Sequence, residues 1–162
     1  MVGGKDPVII LDTKPLANLV FYKYRCNVLD HDQIFYMDVY EKLAQLVKER
    51  KVFVTEAVLT EAYYFLRKKG RLSNDVIRDL LGEIIYDVLC AEKHAIYSEA
   101  FLRGFDYANS TIYVVSIKLF QENIPNVVIT IDYGFQAFLR NNGLISYTII
   151  DLKQFPEILN SL

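Results

Sequence analysis

Two uninterrupted apolar runs constrain the fold of this chain more than any other feature. Residues 8–11 read Val-Ile-Ile-Leu, residues 127–131 read Val-Val-Ile-Thr-Ile, and an aspartate follows each run at once. A strand with one face in water alternates apolar and polar residues, whereas a strand buried on both faces reads as a continuous apolar run. Two further strand candidates are residues 51–55 and 146–150. The pattern therefore predicts a buried, mostly parallel sheet.

Helical patterns separate these strand candidates. The clearest one spans residues 74–93, where apolar residues recur at intervals of three and four. Asp38, Thr55 and Asn109 are each placed to cap the start of another helix, and Gly70 is placed to end the helix that Thr55 begins. Buried strands that alternate with helices predict an α/β fold, a three-layer sandwich with a mostly parallel central sheet flanked by helices.

The composition suits a single soluble domain. A chain of 162 residues can bury a core of its own, here expected at about residues 8–159. Hydrophobic residues make up 52% of the chain and charged residues 23%, which excludes a disordered protein. The net charge of −2 excludes a protein that coats nucleic acid through overall basicity. Two cysteines encode no disulfide framework and no apolar run approaches the roughly 20 residues of a membrane span, so we expect a cytoplasmic protein with no membrane partner.

Three acidic residues occupy positions that favour a shared site. Asp12 and Asp132 follow the two apolar runs, and parallel α/β sheets bind ligands beyond the carboxyl ends of their strands. Glu61 has apolar neighbours at helical spacing, so it lies within or beside a core-facing stripe. Taken singly, each aspartate also suits a turn or helix cap, and Glu61 suits the edge of a stripe where it reaches water. Together the carboxylates predict a Mg²⁺ or Mn²⁺ site, because a divalent cation relieves their repulsion.

Other common chemistries lack their motifs. The sequence has no phosphate-binding loop of the Gly-x-x-x-x-Gly-Lys-Ser/Thr type, no Gly-x-Gly-x-x-Gly turn and no Gly-x-Ser-x-Gly turn. Its two histidines, His31 and His94, are not at zinc-ligand spacing. The tripeptide Asp30-His31-Asp32 matches a metal site by composition only, and we interpret it as a polar loop. Metal-assisted phosphoryl displacement is the chemistry that the acidic residues favour.

Three short motifs resemble those of PIN domains, the small nuclease fold of the VapC toxins. The first is Asp-Thr-Lys-Pro-Leu at residues 12–16, directly after an apolar strand. The second is Val-Leu-Thr-Glu at residues 58–61, in a helix after the second strand candidate. The third is Thr-Ile-Asp-Tyr-Gly-Phe at residues 130–135, which ends another apolar strand. Each motif is short, but their order and spacing extend the resemblance over nearly the whole chain.

The resemblance implies an activity, a set of site residues and partners. The implied activity is that of a Mg²⁺- or Mn²⁺-dependent endoribonuclease, in which Asp12, Glu61 and Asp132 hold the metal. Thr13 and Thr130 would orient ligands or water by hydrogen bonding. The resemblance also implies an RNA substrate, a homodimer and, for the toxin branch, a small antitoxin protein that blocks the site.

One position departs from the family pattern. The family places a further aspartate at the start of the helix before its last motif, and this chain has Asn109 there. We interpret Asn109 as the structural equivalent, with Asp106 as the alternative source of the charge. An amide oxygen still coordinates a cation but brings no charge. The departure supports an alternative function, a non-catalytic PIN-fold binding or scaffold module with a weakened metal site. An RNA-maturation nuclease is a further alternative, disfavoured because no Cys-rich zinc module is appended.

Three other features have competing interpretations. Lys14, beside the expected site, suits either contact with a substrate phosphate or simple solvation. The basic run Arg67-Lys68-Lys69, with Arg71, either guides RNA or forms a solvated helix end stabilised by the helix dipole. The aromatic-rich residues 21–37 favour packing in the core or at a dimer interface over stacking on single-stranded RNA.

Overall fold

The structure, a computed structural model, describes residues 6–24 and 35–162. Five strands form one sheet in the order β3-β2-β1-β4-β5, and every pairing is parallel. The strands are β1 (Val8–Leu11), β2 (Val52–Thr55), β3 (Asp87–Leu89), β4 (Asn126–Thr130) and β5 (Ile145–Thr148). The predicted α/β fold with a parallel central sheet is confirmed.

Helices cover both faces of this sheet. They are α1 (Thr13–Tyr24), α2 (Met37–Glu49), α3 (Glu56–Lys68), α4 (Asn74–Ile84), α5 (Glu92–Ile96), α6 (Glu99–Leu102), α7 (Tyr107–Gln121), α8 (Tyr133–Asn141), α9 (Ile149–Gln154) and α10 (Glu157–Ser161). Helix α1 contacts α2, α3 and α4, whereas α7 contacts α5, α6 and the strands β2 and β4. The chain moves one way along the sheet from β1 to β3 and the other way from β4 to β5. Right-handed crossovers therefore put the two helix groups on opposite faces, which gives three layers.

The central strand β1 and its neighbour β4 are fully buried, as their sequences require. All four residues of β1 and all five of β4 are buried, and Ile10 pairs with Val128 and Leu11 with Ile129. Between these two strands the chain reverses its direction along the sheet. In open α/β sheets this switch point opens a crevice beyond the carboxyl ends of the strands. The residues that follow β1 and β4 therefore border this crevice.

The predicted helix over residues 74–93 is wrong in its second half. Helix α4 ends at Ile84, and Ile85 is extended, with φ −85° and ψ 123°. The chain then forms β3, where Val88 pairs with Val54 of β2. A helix would leave the backbone groups at this edge of β2 without partners, and β3 satisfies them.

Several predicted element ends also change. Thr55 caps α3 as predicted, because its hydroxyl accepts a hydrogen bond of 3.3 Å from the amide of Val58. Asp38 is no cap, since α2 begins at Met37, and Asn109 is no cap, since α7 begins at Tyr107. Strand β5 covers residues 145–148 instead of 146–150, and β4 covers 126–130 instead of 127–131.

Gly70 lies just beyond α3, where the sequence predicts the end of that helix. A Cβ at this position would come within 2.5 Å of the Phe21 ring and 2.7 Å of the Leu66 carbonyl oxygen. Only a residue without a side chain fits between α1 and α3 at this point. The glycine thus fixes the close approach of the two helices that carry Thr13 and Glu61.

Candidate functional site

Asp12 lies at the carboxyl end of β1, in the crevice between β1 and β4. Its backbone amide donates to the Ile129 carbonyl, and its own carbonyl accepts the first helical hydrogen bond of α1, from Leu16. Its side chain is 7% exposed. One carboxylate oxygen accepts from the Thr13 amide and the other from the Thr130 hydroxyl, both at 2.7 Å. The carboxylate is therefore held in one orientation by two different elements.

The charge of Asp12 is destabilised where it lies. Burial raises the pKa of Asp12 from its ordinary 3.8 to about 6. Hydrogen bonds from Thr130 and Thr13 oppose this rise, and the negative charges of Asp106 and Glu61 add to it. Both carboxylates are therefore near enough to act on Asp12, although they come from α3 and from the start of α7. A cation at this place would relieve all three charges.

Glu61 reaches the same place from the second turn of α3. The Thr13 hydroxyl donates to a Glu61 carboxylate oxygen at 2.8 Å, and the Thr13 amide donates to Asp12, so Thr13 links the two carboxylates. Its helical neighbours Val58 and Ala62 are buried, but Glu61 itself is exposed. Glu61 therefore lies at the edge of the apolar stripe, where it reaches water, and it also lies near enough to act on Asp12.

Asp132 follows β4 and begins α8. A side-chain oxygen accepts from the Phe135 amide at 2.9 Å, which makes Asp132 the helix cap that the sequence also allowed. Its own amide donates to the Thr130 hydroxyl at 3.1 Å, and that hydroxyl donates to Asp12. Thr130 thus connects the two aspartates. One Asp132 oxygen remains outside this capping bond.

Asp106 and Asn109 differ in role at the start of α7. Asp106 is the cap, and one of its oxygens accepts from the Asn109 amide at 2.8 Å. Asp106 is exposed, whereas Asn109 is only 6% exposed. The charge from α7 that acts on Asp12 is that of Asp106. We call Asp12, Glu61, Asp106 and Asp132 the acidic site.

A buried pair of threonines, which the sequence did not reveal, aligns α3 with α7. The hydroxyls of Thr55 and Thr111 are 2.7 Å apart, and the Thr111 hydroxyl donates to the Ala108 carbonyl at 2.6 Å. Both side chains are almost completely buried. Since Thr55 also caps α3, one hydroxyl fixes the helix that carries Glu61 against the helix that Asp106 begins.

Of the remaining predicted residues, Lys14 and Phe21 are described by the structure, and part of the aromatic segment is not. The Lys14 ammonium lies 3.9 Å from the centre of the Phe65 ring, beside the acidic site. Phe21 packs in the core, with its ring centre 5.8 Å from that of Phe65, so it has the packing role predicted for the aromatic segment. Residues 25–34 of that segment, which include Asp30-His31-Asp32, lie outside the described residues.

The donor set fits a hard divalent cation by its chemistry. Every member of the acidic site offers carboxylate oxygen, and Asn109 would offer an amide oxygen, the ligand types that Mg²⁺ and Mn²⁺ take. In the described ranges, no three His, Cys, Asp or Glu side chains are already arranged to hold a metal ion. The argument for a divalent cation therefore rests on the oxygen ligands present and on the negative charges that act on Asp12.

Comparison of the sequence with protein-family models gives no match, and comparison with curated proteins gives none either. Within residues 6–24 and 35–162, no helix has the length and apolar character needed to cross a membrane.

Proposed function

We propose that this protein is a Mg²⁺- or Mn²⁺-dependent ribonuclease. The supporting observation is Asp12, a buried carboxylate at the switch point of the parallel sheet. Burial raises its pKa, and the negative charges of Glu61 and Asp106 raise it further. Two carboxylates about 4 Å apart repel by about 4 kcal/mol at an effective dielectric constant of 20. Among the residues that the structure describes, none of the four carboxylates of the acidic site forms an ion pair, and the charges of Glu61 and Asp106 act on Asp12, so the site suits a bound divalent cation.

In this proposal Asp12, Glu61, Asp132 and Asp106 would hold the metal. A metal bound there supplies an activated water and stabilises the charge of an in-line displacement at phosphorus. The chain's own residues set the geometry. Thr130 fixes the Asp12 carboxylate by donating to it, and Thr13 does the same for Glu61.

The biological setting is proposed from the resemblance to VapC toxins. In this proposal the chain is the toxin of a toxin–antitoxin pair. It works in the cytoplasm as a homodimer and is blocked by a small antitoxin protein. The net charge of −2 agrees with a protein that leaves DNA binding to such a partner.

A non-catalytic PIN-fold binding or scaffold module is the second candidate. Asn109 favours it, because a buried amide stands where the family pattern has an acid. A site with one charge fewer holds a divalent cation more weakly, since the number of charged ligands helps to set affinity. Such a module would keep the fold and lose the cleavage.

The test is a melting-temperature titration with Mn²⁺, paired with cleavage of a labelled RNA. A ligand that binds only the native state at about 100 times its Kd stabilises by about 2.7 kcal/mol, or roughly 5–10 °C in a chain of this size. Asp12→Asn is expected to abolish both the shift and the cleavage. Asp87→Asn, at an exposed aspartate of β3, is the control and is expected to keep both.

An unchanged melting temperature of the wild-type protein at millimolar Mn²⁺ would contradict the metal site. A clear shift without RNA cleavage above background would favour the non-catalytic module. Cleavage that survives Asp12→Asn would place the activity elsewhere or in a contaminant.

A further inference from the structure

A groove of about 450 Å³ opens directly beside the acidic site, along the exposed side of α3. Its lining joins two residues already described, Thr13 and Glu61, to the aromatic and basic residues of the next helical turns, namely Thr60, Tyr64, Phe65, Lys68 and Lys69. We call it the Tyr64 groove. It leads from the acidic site to the C-terminal end of α3.

Three lysines converge on the aromatic rings of this groove. The ammonium groups of Lys14 and Lys69 lie 3.9 Å and 5.1 Å from the centre of the Phe65 ring. The ammonium of Lys68 lies 5.3 Å from the centre of the Tyr64 ring. Neither Lys68 nor Lys69 has an acidic partner within the described part of the chain. The groove therefore keeps a local positive charge in a protein that is slightly acidic overall.

The two aromatic rings differ in how freely they are presented. Phe65 is half-buried and packs on Phe21, so its ring is a fixed support for the two lysines. Tyr64 is 62% exposed, and its ring is available to a partner that brings a flat apolar face. A fixed cationic wall beside an exposed aromatic ring is the arrangement that binds phosphates and stacks bases.

A solvated helix end does not account for this arrangement. Lys68 and Lys69 at the end of α3 do stabilise the negative end of the helix dipole. That effect gives no reason for Lys14, which belongs to the first turn of α1, to lie over the same Phe65 ring as Lys69. Cations from two helices therefore lie against Phe65, one of the two aromatic rings that line the groove.

We propose that the Tyr64 groove binds single-stranded RNA and leads it to the acidic site, an inference that rests on the proposed nuclease function. Lys68 and Lys69, which line the groove, hold the phosphates, and the Tyr64 ring stacks on a base. Single strands fit because their base faces are free, whereas a duplex conceals its base faces in its own stack. One strand running along α3 would pass Glu61 before it leaves the groove.

The test measures binding of a labelled, single-stranded RNA of about 12 nucleotides by fluorescence anisotropy, with EDTA present so that cleavage plays no part. Tyr64→Leu removes the stacking platform and is expected to weaken binding about tenfold. The double variant Lys68→Gln/Lys69→Gln is expected to reduce the salt dependence, with the slope of log K against log salt smaller by about 1.4.

A matched control lies on another part of the molecule. Tyr86 is also 62% exposed, and the Lys51 ammonium lies 4.7 Å from the centre of its ring. Tyr86→Leu and Lys51→Gln are expected to leave the affinity unchanged. Equal losses in the control variants, unchanged binding in the Tyr64 and lysine variants, or equal affinity for duplex RNA would each overturn the inference.

The two proposals fail in different ways. RNA binding that depends on Tyr64 but comes with no metal-dependent cleavage would refute the nuclease and support the groove. Cleavage by the wild-type protein, with Tyr64→Leu neutral in both binding and cleavage, would refute the groove and leave the nuclease intact.

Discussion

At the residue scale, the negative charge of the acidic site depends on which residue at the start of α7 carries a carboxylate. Asp106 acts on Asp12 through its charge and caps α7 with one oxygen. Asparagine is as good a helix cap as aspartate, so Asp106→Asn removes the charge while the helix start is kept. We expect this variant to reduce the Mn²⁺-induced rise in melting temperature. An unchanged Mn²⁺ titration would show that Asp106 serves only as a cap.

Asn109→Asp is the converse substitution. It introduces a carboxylate at a position that is only 6% exposed, on the helix that Asp106 caps. We expect tighter Mn²⁺ binding and faster RNA cleavage, together with a lower melting temperature of the metal-free protein, because a buried charge near other carboxylates is costly. Asn109→Ser, which adds no charge, is the control. A metal-free protein as stable as wild type and no gain in Mn²⁺ affinity would contradict the role of Asn109.

Local sequence patterns predicted that Asp12 and Asp132 lie at the ends of buried strands, because each follows a continuous apolar run. Their hydrogen-bond partner Thr130 was visible only as a motif position. The contact between Thr55 and Thr111 was not visible at all, since the two hydroxyls are 56 positions apart and each residue alone reads as an ordinary helix or strand threonine.

At the element scale, the Thr55 hydroxyl fixes α3 relative to α7. Thr55→Val keeps the shape of the side chain but removes the helix cap and the buried hydrogen bond to Thr111. We expect the free energy of unfolding to fall by about 2 kcal/mol, measured by urea denaturation. Thr60→Val on the same helix removes only an exposed bond to the Glu56 carbonyl and is expected to cost less than about 0.5 kcal/mol. Equal losses in the two variants would exclude the proposed alignment.

The misassigned end of the helix over residues 74–93 has a physical cause. Apolar residues at helical spacing continue through Val88 and Leu89, and a short edge strand leaves the same half-buried pattern. A strand forms here instead of a helix because the edge of β2, 32 or more positions earlier in the chain, needs a hydrogen-bonding partner. Pairing with a distant strand overrides local helical preference there.

At the scale of the whole molecule, the continuous apolar runs predicted a parallel sheet between helix layers, and this was confirmed. The strand order β3-β2-β1-β4-β5 was not predicted, because it is decided by which strands meet in space. That order creates the switch point between β1 and β4, and so it decides that Asp12 and Asp132 border one crevice.

The raised pKa of Asp12 couples proton binding to the stability of the whole domain. A group whose pKa is higher in the folded than in the unfolded protein stabilises the fold most at low pH. That stabilisation is complete below the ordinary pKa of 3.8 and is lost as pH rises through about 6. The difference between the two values corresponds to about 3 kcal/mol. In EDTA, the wild-type protein should therefore lose more stability than Asp12→Asn as pH rises over this range.

A metal in the proposed site would reverse part of this loss, because Mn²⁺ would compete with the proton for the Asp12 carboxylate. Below a pH of about 6 the proton is the main occupant, and above it the carboxylate is free to bind the cation. The Mn²⁺-induced rise in melting temperature is therefore expected to be larger at about pH 7.5 than at about pH 5.5. Asp12→Asn, which has no proton to displace, should show little shift at either pH. A shift that does not change with pH in the wild-type protein, or one that persists in Asp12→Asn, would mean that Mn²⁺ binds away from Asp12.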